Sequence, residues 1–458
     1  MNRRSAFFFA SLAISAGMIF CCSPAENTGD DNQTTVPENI IDFKLSVPVT
    51  ENWVFDKRPN LTIHVENPNE VKVVANAKIA ISTDLKAQVV TLEKSAEVPA
   101  SGKLDIQFTT DSDLAPGFYR AICSVNGRLA KNFFFGISPF QIVSAPDMQE
   151  DFNQFWENSR NQLPKLDETT VKMHPIEKKS TSSCKVYMVE MQSVPDGLEG
   201  EPVIVRGYYL EPQDGQKHPV IMHFFGYDSQ PNPGKMSCPS GNSGNYAEFY
   251  LSHRGQYINS RPASKRDDGL DMDFENIYGD WFAYNFGDKN GYYYRGAFMD
   301  CVQAVRFMAT RETSDMGNLF AEGSSQGGAL CYAAAALSDY PFTAIAPNVA
   351  FLGDFPDYFR IVDWPASTAK KNKGAMTDEQ MYAFLSYFDT KNLATRISCA
   401  VYATSGLQDG TCPPHTNLAP FMNLKSTDKE MHFYPEMTHD YPPGWTSTIM
   451  KYFKERIK

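Results

Sequence analysis

Short runs of alternating hydrophobic and polar residues occupy the first part of the folded chain. Leu61–Val65, Lys78–Ile81 and Phe118–Cys123 are examples, and proline, asparagine and glycine separate such runs. A period of two places every second side chain on the same face of a strand. Several short strands divided by turn residues are typical of a β-sandwich. The pattern therefore predicts an Ig-like β-sandwich domain over residues 43–143.

The pattern changes at the segment Ser144–Asp147, which resembles an exposed linker. Beyond it, helical periodicity alternates with apolar runs such as Pro219–Phe225, Asn318–Glu322 and Cys399–Ala403. Alternating strands and helices indicate a mostly parallel sheet with helices on both faces. The sequence thus predicts an α/β domain over residues 147–458, and we expect the preceding sandwich to be separable from it.

The first 22 residues have the features of an export signal. Arg3 and Arg4 precede the uncharged stretch Ala6–Phe20, which is too short to span a bilayer comfortably. The stretch ends at Cys21 and Cys22, and this arrangement is similar to a bacterial lipoprotein signal. Cys22 is the better candidate for lipidation, because cleavage before Cys21 would place bulky Phe20 where the peptidase prefers a small side chain. A plain secretory signal is the alternative.

Residues 23–42 are polar and without periodicity, which predicts a flexible tether between the lipid and the folded part. We therefore expect an exported bacterial lipoprotein, periplasmic or anchored at the outer membrane or cell surface. Its contact with the membrane is expected through the lipid anchor only.

The composition, net charge and cysteine spacing of the chain exclude several classes of protein. The 458 residues are 42% hydrophobic and 21% charged, which is typical of a soluble globular protein. The net charge of -12 argues against nucleic-acid binding, which depends on cations that neutralise phosphates. The cysteines after the signal are widely spaced and form no CxxC motif, so we expect neither a metal site nor an obligatory disulfide.

The segment Gly323–Gly327 is the strongest chemical motif in the chain. It reads Gly-Ser-Ser-Gln-Gly, it follows a predicted strand, and it precedes a helix of small residues. A G-x-S-x-G sequence between strand and helix is typical of the nucleophile elbow of an α/β hydrolase, where the serine adopts a strained backbone conformation. The motif predicts Ser325 as a catalytic nucleophile.

A serine nucleophile requires a base and an acid that orients the base, and in this fold they follow in the order Ser, Asp or Glu, His. Asp409 comes just after a predicted strand, and His439 comes after the next one, 30 residues later. We therefore predict that Asp409 is the acid and His439 the base. His415, which follows Asp409 closely at the start of a helix, is the weaker alternative for the base.

An oxyanion hole requires preorganised hydrogen-bond donors. The backbone N–H of Gln326, directly after the nucleophile, is one predicted donor. The other is the N–H of Tyr227, because Gly226 allows the loop after an early strand to turn toward Ser325. His223 and His253 flank these segments and are predicted to support them.

Taken together, these motifs resemble carbohydrate esterase family 7, the acetyl xylan esterase and cephalosporin-C deacetylase family. The likeness covers residues 147–456 and rests on motifs in conserved order: Asp-Phe-x-x-Phe-Trp at 151–156, Phe-Gly-Tyr at 225–227, Arg-Gly-Gln at 254–256, Tyr-Tyr-Tyr-Arg at 292–295, the elbow at 323–328, and Asp-x-x-Cys-Pro-Pro at 409–414. The resemblance implies an α/β-hydrolase fold, the triad Ser325, Asp409 and His439, and an oxyanion hole of Gln326 and Tyr227. It implies no metal or organic cofactor.

Two positions depart from the family pattern. Tyr257 stands where the family's Arg-Gly-Gln-Gly motif has glycine, and Asp440 stands where the family has glutamate. Tyr257 and Tyr227 are therefore the predicted substrate-binding residues, because both supply bulk near the acyl pocket. Family members often form hexamers, so a homo-oligomer is expected unless the additional domain and the tether prevent it.

The sequence therefore predicts a serine esterase that hydrolyses short acyl esters, with acetylated xylan-derived oligosaccharides as substrate. A serine exopeptidase of the prolyl type is the nearest alternative, because such enzymes also combine a β-rich domain with an α/β hydrolase. A non-catalytic glycan-binding lipoprotein on a decayed esterase fold is the alternative from another functional class.

Overall fold

A computed structural model describes residues 43–229, 245–256, 258 and 277–458. The predicted signal, Cys22, the tether and Tyr257 lie outside the described residues. Within the described ranges, no helix combines the length and the apolar character needed to cross a membrane.

The N-terminal part of the described chain consists of two sheets. Their strands are β1 (Lys44–Ser46), β2 (Val54–Phe55), β3 (Leu61–Glu66), β4 (Val73–Thr83), β5 (Gln88–Val98), β6 (Lys103–Phe108), β7 (Gly117–Val125) and β8 (Arg128–Ile137). One sheet has the order β1-β3-β6, and the other has the order β2-β8-β7-β4-β5. All strand pairs are antiparallel except β2 and β8, which run parallel. The β-rich region begins and ends close to the predicted limits, whereas an Ig-like arrangement stays a prediction.

The C-terminal part is built on a nine-stranded mixed sheet. Its strands are β9 (Val171–Pro175), β10 (Cys184–Ser193), β11 (Val203–Pro212), β12 (His218–Phe224), β13 (Ala247–Ser252), β14 (Ser314–Ser324), β15 (Ala344–Asn348), β16 (Ala400–Gly406) and β17 (Lys429–Tyr434). Their order is β17-β16-β15-β14-β12-β13-β11-β10-β9. The strands from β17 to β13 in this order are parallel, and β11, β10 and β9 continue the sheet antiparallel.

Nine helices of the described residues accompany this sheet. They are α1 (Phe152–Asn161), α2 (Tyr293–Ala309), α3 (Gln326–Leu337), α4 (Phe355–Ile361), α5 (Asp363–Asn372), α6 (Asp378–Leu385), α7 (Thr390–Ala394), α8 (Pro414–Met422) and α9 (Trp445–Lys454), with short 3₁₀ turns at Glu51–Trp53, Pro139–Gln141 and Glu177–Lys179. Helices α2 to α8 connect the parallel strands, whereas α1 precedes β9 and α9 follows β17.

The central strands are buried on both faces. Every residue of β15 and β16 is buried, as expected for parallel strands covered on both sides. Ile221, Phe320 and Tyr402 face α9, whereas their neighbours in the strands belong to the larger core that contains α2 and α3. Strand alternation thus distributes the apolar side chains between two helix layers, which is the α/β arrangement that the sequence predicts.

The N-terminal sheets pack directly against the α/β part through aromatic side chains. The ring of Phe118 lies 5.7 Å from that of Phe433 in β17, and Phe140 lies 5.9 Å from Phe433 and 6.2 Å from Phe421 in α8. These contacts argue against the expectation that the two parts are separable, because removal of the N-terminal sheets would expose these rings to water.

The linker between the two parts is held in place. Asn423 donates a hydrogen bond to the Ser144 carbonyl oxygen at 2.8 Å, and the Ser144 hydroxyl bonds to Asp354. The Asp147 N–H donates to the Asn392 side chain at 3.0 Å, and Asn392 Nδ2 donates back to the Asp147 carboxylate at 2.8 Å. The segment is largely exposed, as its sequence predicts, but side chains of the α/β part fix its course.

A buried ionic contact also joins the two parts. His415 at the start of α8 binds Asp84, which follows β4, at 2.8 Å through Nδ1, and Asp357 of α4 at 3.3 Å through Nε2. Arg360 pairs in turn with Asp357 at 2.9 Å. Burial alone would lower the pKa of His415, but the two carboxylates outweigh burial and raise it from 6.5 to about 10. The imidazolium is therefore the form present in the folded protein at neutral pH.

We expect replacement of His415 by glutamine to destabilise the fold in a pH-dependent manner. The pKa is higher in the folded than in the unfolded chain, so the stabilisation is complete below about pH 6.5 and is lost as the pH rises through about 10. His415→Gln should lower the free energy of unfolding by about 3 kcal/mol at pH 6, as for other broken buried pairs. The difference should shrink toward pH 10 in urea titrations.

The control for this experiment is His432→Gln. His432 pairs with Glu430 at 3.1 Å, but its side chain is 40% exposed, so the cost should be below about 1 kcal/mol. An equal cost of His415→Gln at pH 6 and pH 10 would show that its charge does not stabilise the contact.

One expectation about the cysteines is wrong. Cys184 at the start of β10 is disulfide-bonded, whereas the other described cysteines are free. Disulfides persist in oxidising compartments, which are the destination that the leader sequence predicts. Cys123, Cys301 and Cys331 are buried free thiols, and Cys399 is a partly buried one.

Candidate active site

Ser325 lies at the sharp turn between β14 and α3. Its backbone has φ +60° and ψ -122°, a conformation that side-chain-bearing residues rarely adopt. Gly323 and Gly327 permit this turn, because a β-carbon on Gly323 would lie 2.5 Å from the Gly327 backbone, and one on Gly327 would lie 2.3 Å from the Phe224 carbonyl oxygen. The turn raises Ser325 at the carboxyl end of the parallel strands.

Three side chains predicted from the sequence meet at this point. His439 Nε2 lies 2.9 Å from Ser325 Oγ, and His439 Nδ1 lies 2.8 Å from Asp409 Oδ2. The Asp409 carboxylate is completely buried, whereas the His439 side chain is 28% exposed. His439 is 114 residues from Ser325 and 30 residues from Asp409 along the chain. The sheet brings the three side chains together, because the ends of β14, β16 and β17 lie along one edge.

Asp409 is fixed by its own turn after β16. Its Oδ1 accepts hydrogen bonds from the N–H groups of Thr411 and Cys412, each at 2.8 Å. These donors occupy one oxygen and leave Oδ2 directed at His439. A carboxylate with one oxygen held in this way can accept from only one ring nitrogen of the base, which orients the imidazole.

The segment that carries His439 approaches the end of β16 very closely. A β-carbon on Gly406 would lie 2.3 Å from the Met437 carbonyl oxygen and 2.6 Å from that of Thr438. Asn348, at the end of β15, joins this segment to the elbow: it donates from Nδ2 to Ser324 Oγ at 2.8 Å and to the Asp440 carbonyl oxygen at 3.1 Å. The Asn348 carbonyl oxygen also accepts from the Ser325 N–H at 3.0 Å.

The two predicted oxyanion donors lie on segments next to Ser325. Gln326 is the first residue of α3, and Tyr227 follows Gly226 in the loop after β12. A β-carbon on Gly226 would lie 3.6 Å from Ser325 Cβ, so this loop passes beside the nucleophile. The Tyr227 hydroxyl donates to Asp280 at 2.8 Å and accepts from the Phe282 N–H at 3.2 Å, which fixes its position.

The side chain of Gln326 is held by a buried network. Tyr294 in α2 donates to Gln326 Oε1 at 2.8 Å, and Gln326 Nε2 donates to His253 Nε2 at 2.8 Å. His253 Nδ1 bonds to the Tyr293 hydroxyl at 2.9 Å, and that hydroxyl donates to the Arg254 carbonyl oxygen at 2.7 Å. Every donor in this chain has an acceptor when His253 is neutral. Burial lowers the pKa of His253 to about 4, which keeps it neutral at physiological pH.

Arg254, which follows His253 in the chain, is held by two ion pairs. It is fully buried, it binds Asp300 at 2.7 Å and Asp196 at 2.6 Å, and these partners raise its pKa against the opposing effect of burial. Gly296 in α2 leaves room for the guanidinium, because a β-carbon there would lie 2.2 Å from it. The segment after β13 is thereby fixed behind the oxyanion loop, and Gln256 donates to the Gly226 carbonyl oxygen at 3.2 Å.

Aromatic rings pack against one another around Tyr227 of the oxyanion loop. The ring of Tyr227 lies 4.9 Å from that of Trp281 and 5.5 Å from that of Trp364. Phe351 stacks on Trp364 at 5.4 Å, and its N–H donates to the Ser325 carbonyl oxygen at 3.0 Å. Tyr227 therefore belongs to an aromatic cluster that reaches the Ser325 backbone through Phe351, and its role in substrate binding stays a prediction; Tyr257 lies outside the described residues.

The other histidines do not reach Ser325 through the described contacts. His415 is engaged by Asp84 and Asp357, so the structure does not bring this alternative base to the nucleophile. His223 lies between Glu322 at 2.8 Å and Glu248 at 3.1 Å, and these hydrogen bonds overcome burial and raise its pKa to about 9.

One cluster within the described ranges has the geometry to hold a metal ion. It consists of Asp354, Asp357 and His415. Each of them already has an ionic partner: Lys391 for Asp354, Arg360 for Asp357 and Asp84 for His415. We therefore derive no metal-dependent step from this cluster.

Sequence reasoning missed residues that support the site rather than form it. Asn348 links the elbow to the base, Tyr294 holds Gln326, and Gln408 lies beside Asp409. The position of Asn348 as a polar residue ending an apolar strand was the one available signal. Tyr294 lies within an aromatic helix and Gln408 within a turn, so neither stands out in the sequence.

Comparison with known families gives a match over most of the chain. The family model described as acetyl xylan esterase (AXE1) matches residues 141–456. Acetyl esterase Axe7A of Xylanibacter ruminicola is 24% identical over 421 residues, covering 90% of this chain and 90% of the relative.

Solved structures give the same result for the fold. An acetyl xylan esterase from Paenibacillus sp. R4 has a TM-score of 0.57 and 26% identity, covering 69% of this chain and 98% of its own. Acetyl xylan esterase 1 from Thermoanaerobacterium sp. JW/SL YS485 has a TM-score of 0.58 and 21% identity, covering 70% and 98%. The predicted α/β-hydrolase-like fold of the C-terminal part is confirmed by these similarities.

Proposed function

Because the chain belongs to the acetyl xylan esterase family and is a carboxylic ester hydrolase, we propose that it deacetylates xylan-derived oligosaccharides through an acyl-enzyme on Ser325. The observation that carries this proposal is the hydrogen-bonded series Ser325 Oγ, His439 and Asp409, with distances of 2.9 and 2.8 Å. This arrangement suits acyl transfer, because a hydroxyl becomes an effective nucleophile when an oriented base accepts its proton.

In the first half of the reaction, Ser325 Oγ attacks the acetyl carbonyl carbon while His439 Nε2 takes the hydroxyl proton. The carbonyl oxygen acquires negative charge, which the N–H groups of Gln326 and Tyr227 stabilise. When the tetrahedral intermediate collapses, the ester C–O bond breaks and His439 returns the proton to the leaving sugar oxygen. The products are a free sugar hydroxyl and acetyl-Ser325.

In the second half, a water molecule replaces the sugar. His439 takes one water proton as the oxygen attacks the acetyl carbonyl, and it then protonates Ser325 Oγ as acetate leaves. Asp409 accepts from Nδ1 of the base throughout, which stabilises the imidazolium formed at each step.

The aromatic wall of Tyr227, Trp281, Phe351 and Trp364 predicts a preference for short acyl groups. Each methylene that finds a buried place gains about 0.8 kcal/mol, so an open pocket would favour butyrate over acetate by up to roughly tenfold. A closed wall reverses this order, because the longer chain meets the rings. We expect kcat/KM for nitrophenyl esters to fall from acetate to butyrate to octanoate.

The same preparation should release acetate from acetylated xylo-oligosaccharides, measured by an enzymatic acetate assay. Hydrolysis of nitrophenyl acetate without acetate release from the oligosaccharide would contradict the proposed sugar substrate. A preference for octanoate would contradict the acetyl specificity. Cleavage of aminoacyl amides in place of esters would favour the exopeptidase alternative.

A further inference from the structure

The N-terminal five-stranded sheet contacts the turn that carries Asp409. We name residues 407–413, between β16 and α8, the acid loop. Gln408 in this loop lies against β8: its Oε1 accepts from the Phe134 N–H at 2.8 Å, and its Nε2 donates to the Phe134 carbonyl oxygen at 3.0 Å. The amide group thus binds both polar groups of one strand residue, as a residue of a neighbouring strand would.

The same side chain also reaches the segment that carries the base. Gln408 Nε2 donates a second hydrogen bond to the Pro435 carbonyl oxygen at 2.7 Å, and the Gln408 N–H donates to the Met437 carbonyl oxygen at 3.0 Å. Pro435 and Met437 lie between β17 and His439. Gln408 therefore joins the N-terminal sheet, the acid loop and the base segment at a single point.

A second contact holds the far end of the acid loop. His415, two residues beyond the loop, binds Asp84 of the N-terminal part at 2.8 Å, and its ring lies 6.4 Å from that of Phe118. The N-terminal part thus contacts the chain on both sides of Asp409, at Gln408 one residue before it and at His415 six residues after it.

Between these two anchors the acid loop borders a cavity, although Leu407 and Cys412 are buried. A cavity of about 90 Å³ lies between the loop and the N-terminal sheet. Its lining includes Phe118, Phe134, Leu407, Asp409, Pro413 and Pro414. Atoms that border a cavity lack dispersion contacts on that side. On the side of the cavity the loop is held by the hydrogen bonds of Gln408, and on the other side by those of Tyr358 to the Thr411 carbonyl oxygen and of Asn417 to the Cys412 carbonyl oxygen.

We propose that Gln408 is a positioning residue, through which the N-terminal sheet holds Asp409 at hydrogen-bonding distance from His439. The inference rests on the proposed function, in which Asp409 orients the base. The Asp409 carboxylate accepts from N–H groups of the acid loop itself, so it moves when the loop moves. A displacement of about 1 Å in such a group can lower the rate by about 10²-fold.

The test uses Gln408→Met in the full chain, because methionine keeps the length of the side chain and removes its hydrogen bonds. We expect kcat for nitrophenyl acetate to fall by about 10- to 100-fold while KM changes by less than about threefold. The matched control is Asn423→Ala, which removes a hydrogen bond between the α/β part and the linker at the far end of α8. The control should keep the kcat of the parent.

A double-mutant cycle with Asp409→Asn separates positioning from a general structural role. If Gln408 acts through Asp409, Gln408→Met should lower kcat in the parent but not further in the Asp409→Asn background. An equal fold-loss in both backgrounds, or an unchanged kcat in the parent, would overturn the inference.

Two further outcomes distinguish a failure of the proposed role of Asp409 from a failure of the inference about Gln408. A parent-like kcat for Asp409→Asn alone would overturn the proposed role of Asp409 and this inference with it, whereas a large loss there beside an unchanged Gln408→Met would overturn the inference only. If Gln408→Met does not fold, Gln408→Glu replaces it in the same cycle, because glutamate keeps the acceptor for the Phe134 N–H and loses both donated bonds.

Discussion

Ser325→Ala is expected to lower kcat for acetyl esters by roughly 10⁴- to 10⁶-fold, because removal of the nucleophile disables the base and the acid with it. The alanine keeps the β-carbon at the strained turn, and it removes the hydrogen bond between Ser325 Oγ and His439. The fold should therefore survive, and a thermal unfolding curve close to that of the parent would demonstrate this. The activity measurement is initial-rate hydrolysis of nitrophenyl acetate.

Ser324→Ala is the matched control for this experiment. Ser324 precedes the nucleophile, and its Oγ accepts from Asn348 Nδ2 at 2.8 Å. Its replacement removes hydrogen bonds beside the site but none to the base, so we expect kcat to stay within about tenfold of the parent. If Ser325→Ala remained within tenfold as well, Ser325 would not be the nucleophile.

Asp409→Asn is expected to lower kcat by about 10⁴-fold through the tautomer of the base. Asp409 Oδ1 accepts from the N–H groups of Thr411 and Cys412, so the amide oxygen of an asparagine will keep that position. The amide nitrogen then faces His439 Nδ1 and donates to it. The base must carry its proton on Nε2 in that arrangement, where it can no longer accept the proton of Ser325.

Asp440→Asn controls for the loss of a carboxylate beside the base. The Asp440 carboxylate is exposed and accepts from the Tyr441 N–H at 2.7 Å, without a described contact to His439. We expect kcat within about threefold of the parent. Similar losses for the two variants would mean that charge near the base, rather than the orientation given by Asp409, determines the rate.

The effect of the N-terminal sheets on catalysis follows from the same geometry. The aromatic contacts at Phe118 and Phe140, the ion pair of Asp84 with His415 and the hydrogen bonds of Gln408 all end on elements next to Asp409 or His439. The N-terminal sheets therefore support the elements that carry the catalytic residues. We expect their removal to affect both the solubility of the protein and its turnover.

Local patterns in the sequence determined much of the fold. The change from alternating runs to strand-helix alternation marks the change from the antiparallel sheets to the mixed sheet. The glycines of the elbow, between an apolar strand and a helix of small residues, located the turn at Ser325. These features could be read from the sequence because periodicity and glycine requirements act between residues close along the chain.

The order of the motifs also placed Asp409 and His439 correctly relative to the sheet. Each follows a parallel strand, and the carboxyl ends of parallel strands share one edge. The sequence alone left His415 as an alternative base, and the structure assigns it instead to an ion pair with Asp84, 331 residues away.

Only the tertiary structure decided how the two parts of the chain meet. The sequence suggested a separable sandwich and no disulfide, whereas the N-terminal sheet packs on the acid loop and Cys184 is disulfide-bonded. Gln408 and Phe134 are 274 residues apart, and no spacing or pattern in the sequence indicates that they are in contact. Hydrophobic periodicity determines which face of an element is buried, but the partner of that face depends on how whole layers fit together.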